Sequence, residues 1–191
     1  NSTGSANSIT LDIDTATDLT ALTVTGDQNL TLVTAPTTIA TIDASAMTGA
    51  LTHTITKTAA VTLTGGAGND AITAEATTGS SDSINTGAGN DKVTYAANLA
   101  VTDTLDGGDG TDTLESTSAL FAAYTAPATK TISNFEKLEL SDALGAGIST
   151  ADIQANISTV DLDSGAGTFA LTMEAGTRTV EIGASNAGHL T

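Results

Sequence analysis

Short runs in which apolar residues alternate with Thr, Asp or Glu recur along the chain at nearly constant spacing. Near the start, Leu19-x-x-Leu22-x-Val24-x-Gly26 is echoed by Ile39-x-x-Ile42-x-Ala44, with 20 residues from Val24 to Ala44. Val61-x-Leu63-x-Gly65 supplies the next rung, Leu63 falling 19 residues after Ala44. Later, Phe135-x-x-Leu138-x-Leu140 is followed by Val160-x-Leu162 and Val180-x-Ile182, at offsets of 22 and 20 residues. A period of two belongs to a strand with one buried face. Its recurrence about every 20 residues predicts an all-β fold, a parallel β-solenoid with one rung per coil.

Thr, Gly and Asn interrupt the chain too often for long helices. Two short ones are candidates. Ser118 to Tyr124 has room for one or two turns, and Ser149-Thr150-Ala151-Asp152 starts a helix by the capping-box rule. Residues 116–131 carry Pro127 and no rung, which marks an insertion or boundary between solenoid coils at 1–64 and 132–191.

The remaining span, 65–115, follows a stricter pattern. Gly65-Gly66-Ala67-Gly68-Asn69-Asp70-Ala71-Ile72-Thr73 fits the nonapeptide GGxGxDxUx, where U is a large apolar residue. Gly107-Gly108-Asp109-Gly110-Thr111-Asp112-Thr113-Leu114-Glu115 fits it equally. Thr86-Gly87-Ala88-Gly89-Asn90-Asp91-Lys92-Val93-Thr94 departs only in its first residue. The starts at 65, 86 and 107 are 21 residues apart, and within each interval a degenerate copy keeps the Asp and the apolar residue, Asp82-Ser83-Ile84 and Asp103-Thr104-Leu105. Ile72, Val93 and Leu114 are therefore expected on one wall and Ile84 and Leu105 on the other. The glycine turns fall along one edge and the degenerate turns along the opposite edge.

Composition narrows the chemistry. Aromatic residues make up 3% of the chain, so burial falls to Ala, Val, Ile and Leu in a thin, regular interior, unlike that of an ordinary globular enzyme. The 22 acidic residues against 5 basic give a net charge of −17, which repels nucleic acid and anionic lipid and favours cations as partners. Nine acidic residues lie between Asp70 and Glu115, with Lys92 the only basic residue among them. No cysteine is present for a disulfide or thiolate metal site. No run of 18 apolar residues offers a membrane span. A start at Asn1, without Met or leader, reads as a mature or excised portion of a longer protein.

Glycines allow positive φ and close backbone approach, so carbonyls of stacked turns can face a common gap, and the Asp adds a carboxylate from each coil. Calcium takes 6 to 8 oxygens, more than one turn supplies but within reach of two, whereas magnesium demands a tighter octahedron and keeps its water. The candidate Ca²⁺ ligands and turn residues are Gly65, Gly66, Gly68 and Asp70, then Thr86, Gly87, Gly89 and Asp91, then Gly107, Gly108, Gly110 and Asp112. One ion is expected between Asp70 and Asp91 and another between Asp91 and Asp112. Asp82 and Asp103 are candidates for a weaker site on the far edge. Lys92 is expected to point outward and contribute little.

These nonapeptides resemble the repeats-in-toxin (RTX) calcium-binding family, whose fold is a parallel β-roll. The resemblance covers residues 65–115. Ile42-Asp43-Ala44-Ser45 with Thr48-Gly49, and Ile132-Ser133-Asn134-Phe135-Glu136-Lys137-Leu138, resemble stretches that flank such repeats in bacterial surface-layer proteins. It implies type I secretion of an unfolded chain that folds on meeting external calcium. No family-like secretion signal is evident in Asn186 to Thr191.

Catalysis finds little support. HExxH and GxSxG are absent, and Ser185 lacks the glycine an elbow needs, because Ala187 stands there. His53 and His189 are the only histidines, expected to be exposed or rung-facing. Asp161 and Asp163 share a strand face without implying glycosidase chemistry. The expectation is an extracellular structural protein of a bacterial surface layer or matrix, whose partners are copies of itself in a lattice or filament and other cell-surface components. Neither end shows a capping helix or polar repeat, so terminal coils are expected to need cover. A spacer or ligand-binding module of an adhesin is the alternative.

Overall fold

The computed structural model describes residues 4–10, 19–34, 39–56, 59–74, 81–124, 131–143, 145, 147–154, 156–162 and 170–182. Among them, every strand pair is parallel and alternate strands belong to opposite walls, so the chain is a parallel β-solenoid. One wall is a nine-stranded sheet of β1 (Asn7–Thr10), β3 (Leu30–Thr34), β5 (Leu51–Ile55), β7 (Ala71–Ala74), β10 (Lys92–Tyr95), β13 (Thr113–Ser116), β15 (Lys137–Leu140), β17 (Thr159–Leu162) and β19 (Thr179–Ile182). The other is a six-stranded sheet of β2 (Ala21–Gly26), β4 (Thr41–Met47), β6 (Thr62–Thr64), β8 (Ser83–Asn85), β11 (Thr104–Asp106) and β14 (Ile132–Ser133). Two small ribbons pair β9 (Ala88–Gly89) with β12 (Asp109–Gly110) and β16 (Ile148–Ser149) with β18 (Leu171–Thr172).

Alternation sends one residue in two into the space between the walls. Ile72, Val93, Leu114, Leu138 and Val160 are aligned strand to strand on the first wall, and Ile42, Leu63, Ile84, Leu105 and Ile132 on the second, all buried. Each such side chain contributes roughly 1.5–3 kcal/mol through removal from water. Ile72, Val93 and Leu114 thus share one wall, and Ile84 and Leu105 the other, as the spacing predicts. One expected stack is corrected. Leu63 aligns with Ile42, 21 residues earlier, and not with Ala44, because the β2–β4 register shifts between Thr23 and Thr25. A two-residue error leaves the buried face unchanged, which is why the periodicity concealed it.

Residues between β13 and β14 lengthen that coil: Leu105 pairs with Ile132, and Thr113 with Lys137. The extra length holds helix α1 (Ser118–Ala123), capped by the Thr117 side chain on the Leu120 N–H. Pro127 lies outside the described residues. Helix α2 (Thr150–Ile153) does follow Ser149, yet Ser149 makes no side-chain capping bond, so no capping box forms. The residue three beyond Ser149 is Asp152, shorter than the Glu or Gln that closes such a box.

Lys92 is corrected as well. Its ammonium reaches Glu115 at 3.0 Å and Glu139 at 2.9 Å on the outer face, and Lys137 does the same with Asp161 at 2.7 Å and Glu181 at 3.1 Å. Strand register stacks the four carboxylates in one column, and the lysines of the adjacent column interrupt their repulsion. Asp161 is therefore an ion-pair partner, while Asp163 lies outside the described residues.

Candidate calcium-binding turns

The glycine turns connect β6 to β7, β8 to β10 and β11 to β13, so all three stack on one edge of the solenoid. The second and third share a backbone course. Gly87 has φ +97° and Gly108 φ +84°, a region that side chains with a Cβ rarely adopt. A Cβ on Gly108 would collide with the Gly87 carbonyl, and one on Gly87 with the Gly66 carbonyl. The turns hydrogen-bond through the same column, Ala88 N–H to Gly66 O at 2.8 Å and Asp109 N–H to Gly87 O at 2.9 Å. Gly89 and Gly110 pair within the β9–β12 ribbon. Thr86, in a glycine's place, is buried and uses its hydroxyl to donate to Gly107 O at 2.8 Å.

The first turn departs from that course. Gly65, Gly66 and Gly68 do not take positive φ. They are needed for space: a Cβ on Gly66 would meet Met47 O, on Gly68 the Gly49 backbone, and on Gly65 the Thr86 carbonyl. The coil beneath is the Met47–Ala50 segment, which is not a nonapeptide and offers a different surface to stack on.

Asp70, Asp91 and Asp112 each stand just before a strand of the nine-stranded wall and are 2%, 2% and 0% exposed. Each carboxylate reaches back one coil. Asp70 Oδ1 accepts from Leu51 N–H, Asp91 Oδ1 from Asp70 N–H and Asp112 Oδ1 from Asp91 N–H, each at 2.7 Å. The second oxygens divide the set. Asp70 Oδ2 accepts from Gly66 N–H at 3.0 Å, whereas Asp91 Oδ2 and Asp112 Oδ2 are buried with no hydrogen-bond partner. A buried, unsatisfied carboxylate oxygen is costly and calls for a counter-charge.

The ionisation of these groups reflects that cost. Burial pushes Asp70 up to about 6, against its bonds from Leu51 and Gly66 and helped by the Asp91 charge. Asp112 is also raised to about 6, by burial first and then by the charges of Asp91, Glu136 and Asp106. Burial raises Asp91 too. No group of three or more His, Cys, Asp or Glu side chains with metal-binding geometry occurs among the described residues. A hard cation here would accordingly be held by Asp91 and Asp112 carboxylates with backbone carbonyls of the stacked turns, and the orphaned oxygens fit that role.

On the opposite edge, Asp82 and Asp103 repeat the ladder without the glycines. Asp82 Oδ1 accepts from Val61 N–H at 2.9 Å, and Asp103 Oδ1 from Asp82 N–H at 3.0 Å. Both Asp103 oxygens are engaged, since Oδ2 accepts from Ala100 N–H at 2.8 Å. Burial raises the Asp103 pKa, yet this edge shows no orphaned carboxylate oxygen among the described residues.

Two features escaped the sequence reading. Asn69 Oδ1 accepts from Asn90 N–H at 2.8 Å and Asn90 Oδ1 from Thr111 N–H at 2.9 Å, a side-chain ladder that ties the turns together. Its trace was the repeated Asn before Asp in the first two motifs. Glu136 is the other, accepting from Asp112 N–H at 2.9 Å. His53 is buried on the inner wall between Leu32 and Ile72, with Nδ1 3.0 Å from Leu32 O, while Ser185 and His189 lie outside the described residues.

Fold and turns together define a calcium-binding class of β-solenoid, a parallel β-roll. A family profile for the RTX calcium-binding nonapeptide repeat (4 copies) matches residues 58–78, 76–97 and 102–117, so the middle of the chain is built of RTX repeats. No curated protein and no solved structure matches the chain. RTX repeat proteins are typically secreted, and no helix among the described residues is long and apolar enough to cross a membrane.

Proposed function

We propose that the chain is a calcium-binding structural module of a bacterial surface layer or extracellular matrix, which locks into its solenoid form outside the cell and then assembles with copies of itself. The observation that carries the calcium reading is the stacked carboxylate ladder, with Asp91 Oδ2 and Asp112 Oδ2 buried and unpaired beneath glycine turns. Calcium bound there supplies the counter-charge and the coordination that these oxygens lack.

A structural role, with no catalysis, is supported by the surface. The described aromatics, Tyr95, Phe121, Tyr124 and Phe135, are all buried, which leaves the outer faces without the aromatic anchors that dominate recognition hot spots. Threonines and charged residues cover those faces in regular columns. Light scattering and electron microscopy with and without calcium test the proposal. Growth beyond the monomer on adding millimolar calcium is expected. A sharp monomer at high protein concentration would favour the spacer of an adhesin.

A further inference from the structure

We infer that Glu136, with Asp112, holds a further calcium ion between the third glycine turn and the Asn134–Glu136 turn, outside the residues matched by the RTX profile. The inference rests on the calcium reading above and extends the ladder by one coil.

Glu136 occupies the place of a nonapeptide aspartate. It precedes β15 as Asp70, Asp91 and Asp112 precede β7, β10 and β13, and in register it stands two residues before Leu138, the aligned partner of Leu114. Its backbone follows suit: the Thr159 N–H bonds to Glu136 O at 3.0 Å as Lys92 N–H bonds to Asp70 O at 2.9 Å and Thr113 N–H to Asp91 O at 2.8 Å. Its side chain also reaches back, Oε2 accepting from Asp112 N–H at 2.9 Å.

The remaining pieces face the same gap. Asn134 adopts φ +57°, a left-handed turn without glycine, and its carbonyl lies where a Cβ on Gly107 would sit, next to the Asp112 side chain. Independently of the acidic cluster, Asp112 is 0% exposed and its Oδ2 has no partner. The charges of Glu136 and Asp106 both act on it. Two carboxylates with a carbonyl at their side form the core of a calcium shell that water can complete. Ser158 holds the equivalent place one coil on and donates its hydroxyl to Glu136 O at 3.1 Å, so the carboxylate ladder ends at Glu136.

Native mass spectrometry of the full chain in calcium chloride counts the ions. Glu136→Gln keeps an acceptor for the Asp112 N–H and is expected to bind one calcium fewer than the parent, while Asp152→Asn, on the exposed side of α2, binds the parent's number. A Glu136→Gln protein with the parent's count and affinities overturns the inference and leaves the calcium reading intact. A parent that binds no calcium sinks both. Should the variant not fold, the parent labelled with ¹³C-glutamate gives the answer: the Glu136 carboxylate resonance is expected to move during a calcium titration, and a resonance that stays fixed to saturation overturns the site.

Discussion

The Asp91 carboxylate accepts the backbone N–H of Asp70 across two coils at 2.7 Å while its other oxygen, buried in the turn, has no partner. One oxygen therefore serves the fold and the other is free for a cation, so the two roles can be separated. Asp91→Asn keeps an oxygen for the Asp70 N–H and removes the charge. It is expected to fold with weakened calcium binding. Asp91→Ala also strands the Asp70 N–H, and should cost a further 1–3 kcal/mol, roughly. Asp82→Ala should leave calcium binding closer to the parent's. Calorimetric calcium titrations of the three variants check this ordering.

The close approach of Gly108 to the Gly87 carbonyl predicts a second contrast. Gly108→Ala forces a Cβ into that carbonyl at φ +84°, and should pry apart the second and third turns and lower calcium affinity. Gly145→Ala meets only Ser118 Oγ at 3.5 Å and Ala143 O at 3.6 Å, an ordinary contact, and should shift stability by less than about 0.5 kcal/mol. Thermal unfolding in calcium compares them. Equal midpoints for both variants would show that the turn stacking is not under this constraint.

Much of this was legible in the residues. The period of two and the 21-residue spacing of Asp70, Asp91 and Asp112 depend on local alternation and repeat length, which a linear sequence displays directly. Glu136 was hidden because its turn has no glycines and is shorter: Asn134, whose carbonyl neighbours Gly107 as that of Thr86 neighbours Gly65, is only two residues before its carboxylate. The partners of Lys92 were hidden for another reason. Glu139 is 47 residues away, and only the length of the coil carrying α1 decides that the two meet.

The raised aspartates make the stability of the calcium-free protein depend on pH. Asp70 and Asp112 have pKa values of about 6 in the folded chain against an ordinary 3.8, so folding takes up protons between those values. Stability without calcium should therefore rise as pH falls from about 6 towards 3.8. His53 opposes this: burial lowers its pKa below 6.5, so its contribution is lost as pH falls through that range. His53→Leu, which places Leu beside Leu32 and Ile72, should sharpen the acid-side gain. Unfolding curves in chelator at pH 7.5 and 5 test it, and a lower midpoint at pH 5 in His53→Leu would contradict the burial of these carboxylates.

The most direct test is far-ultraviolet circular dichroism of the whole chain at neutral pH as calcium is removed by chelator and restored. Nine acidic residues against one lysine between Asp70 and Glu115, with two carboxylate oxygens buried and unpaired, predict that the β signal is lost in chelator and returns on adding calcium. The midpoint should fall at about 10⁻⁴ to 10⁻³ M, as for extracellular calcium modules. A β spectrum unchanged from excess chelator to millimolar calcium would contradict a solenoid held together by its ions.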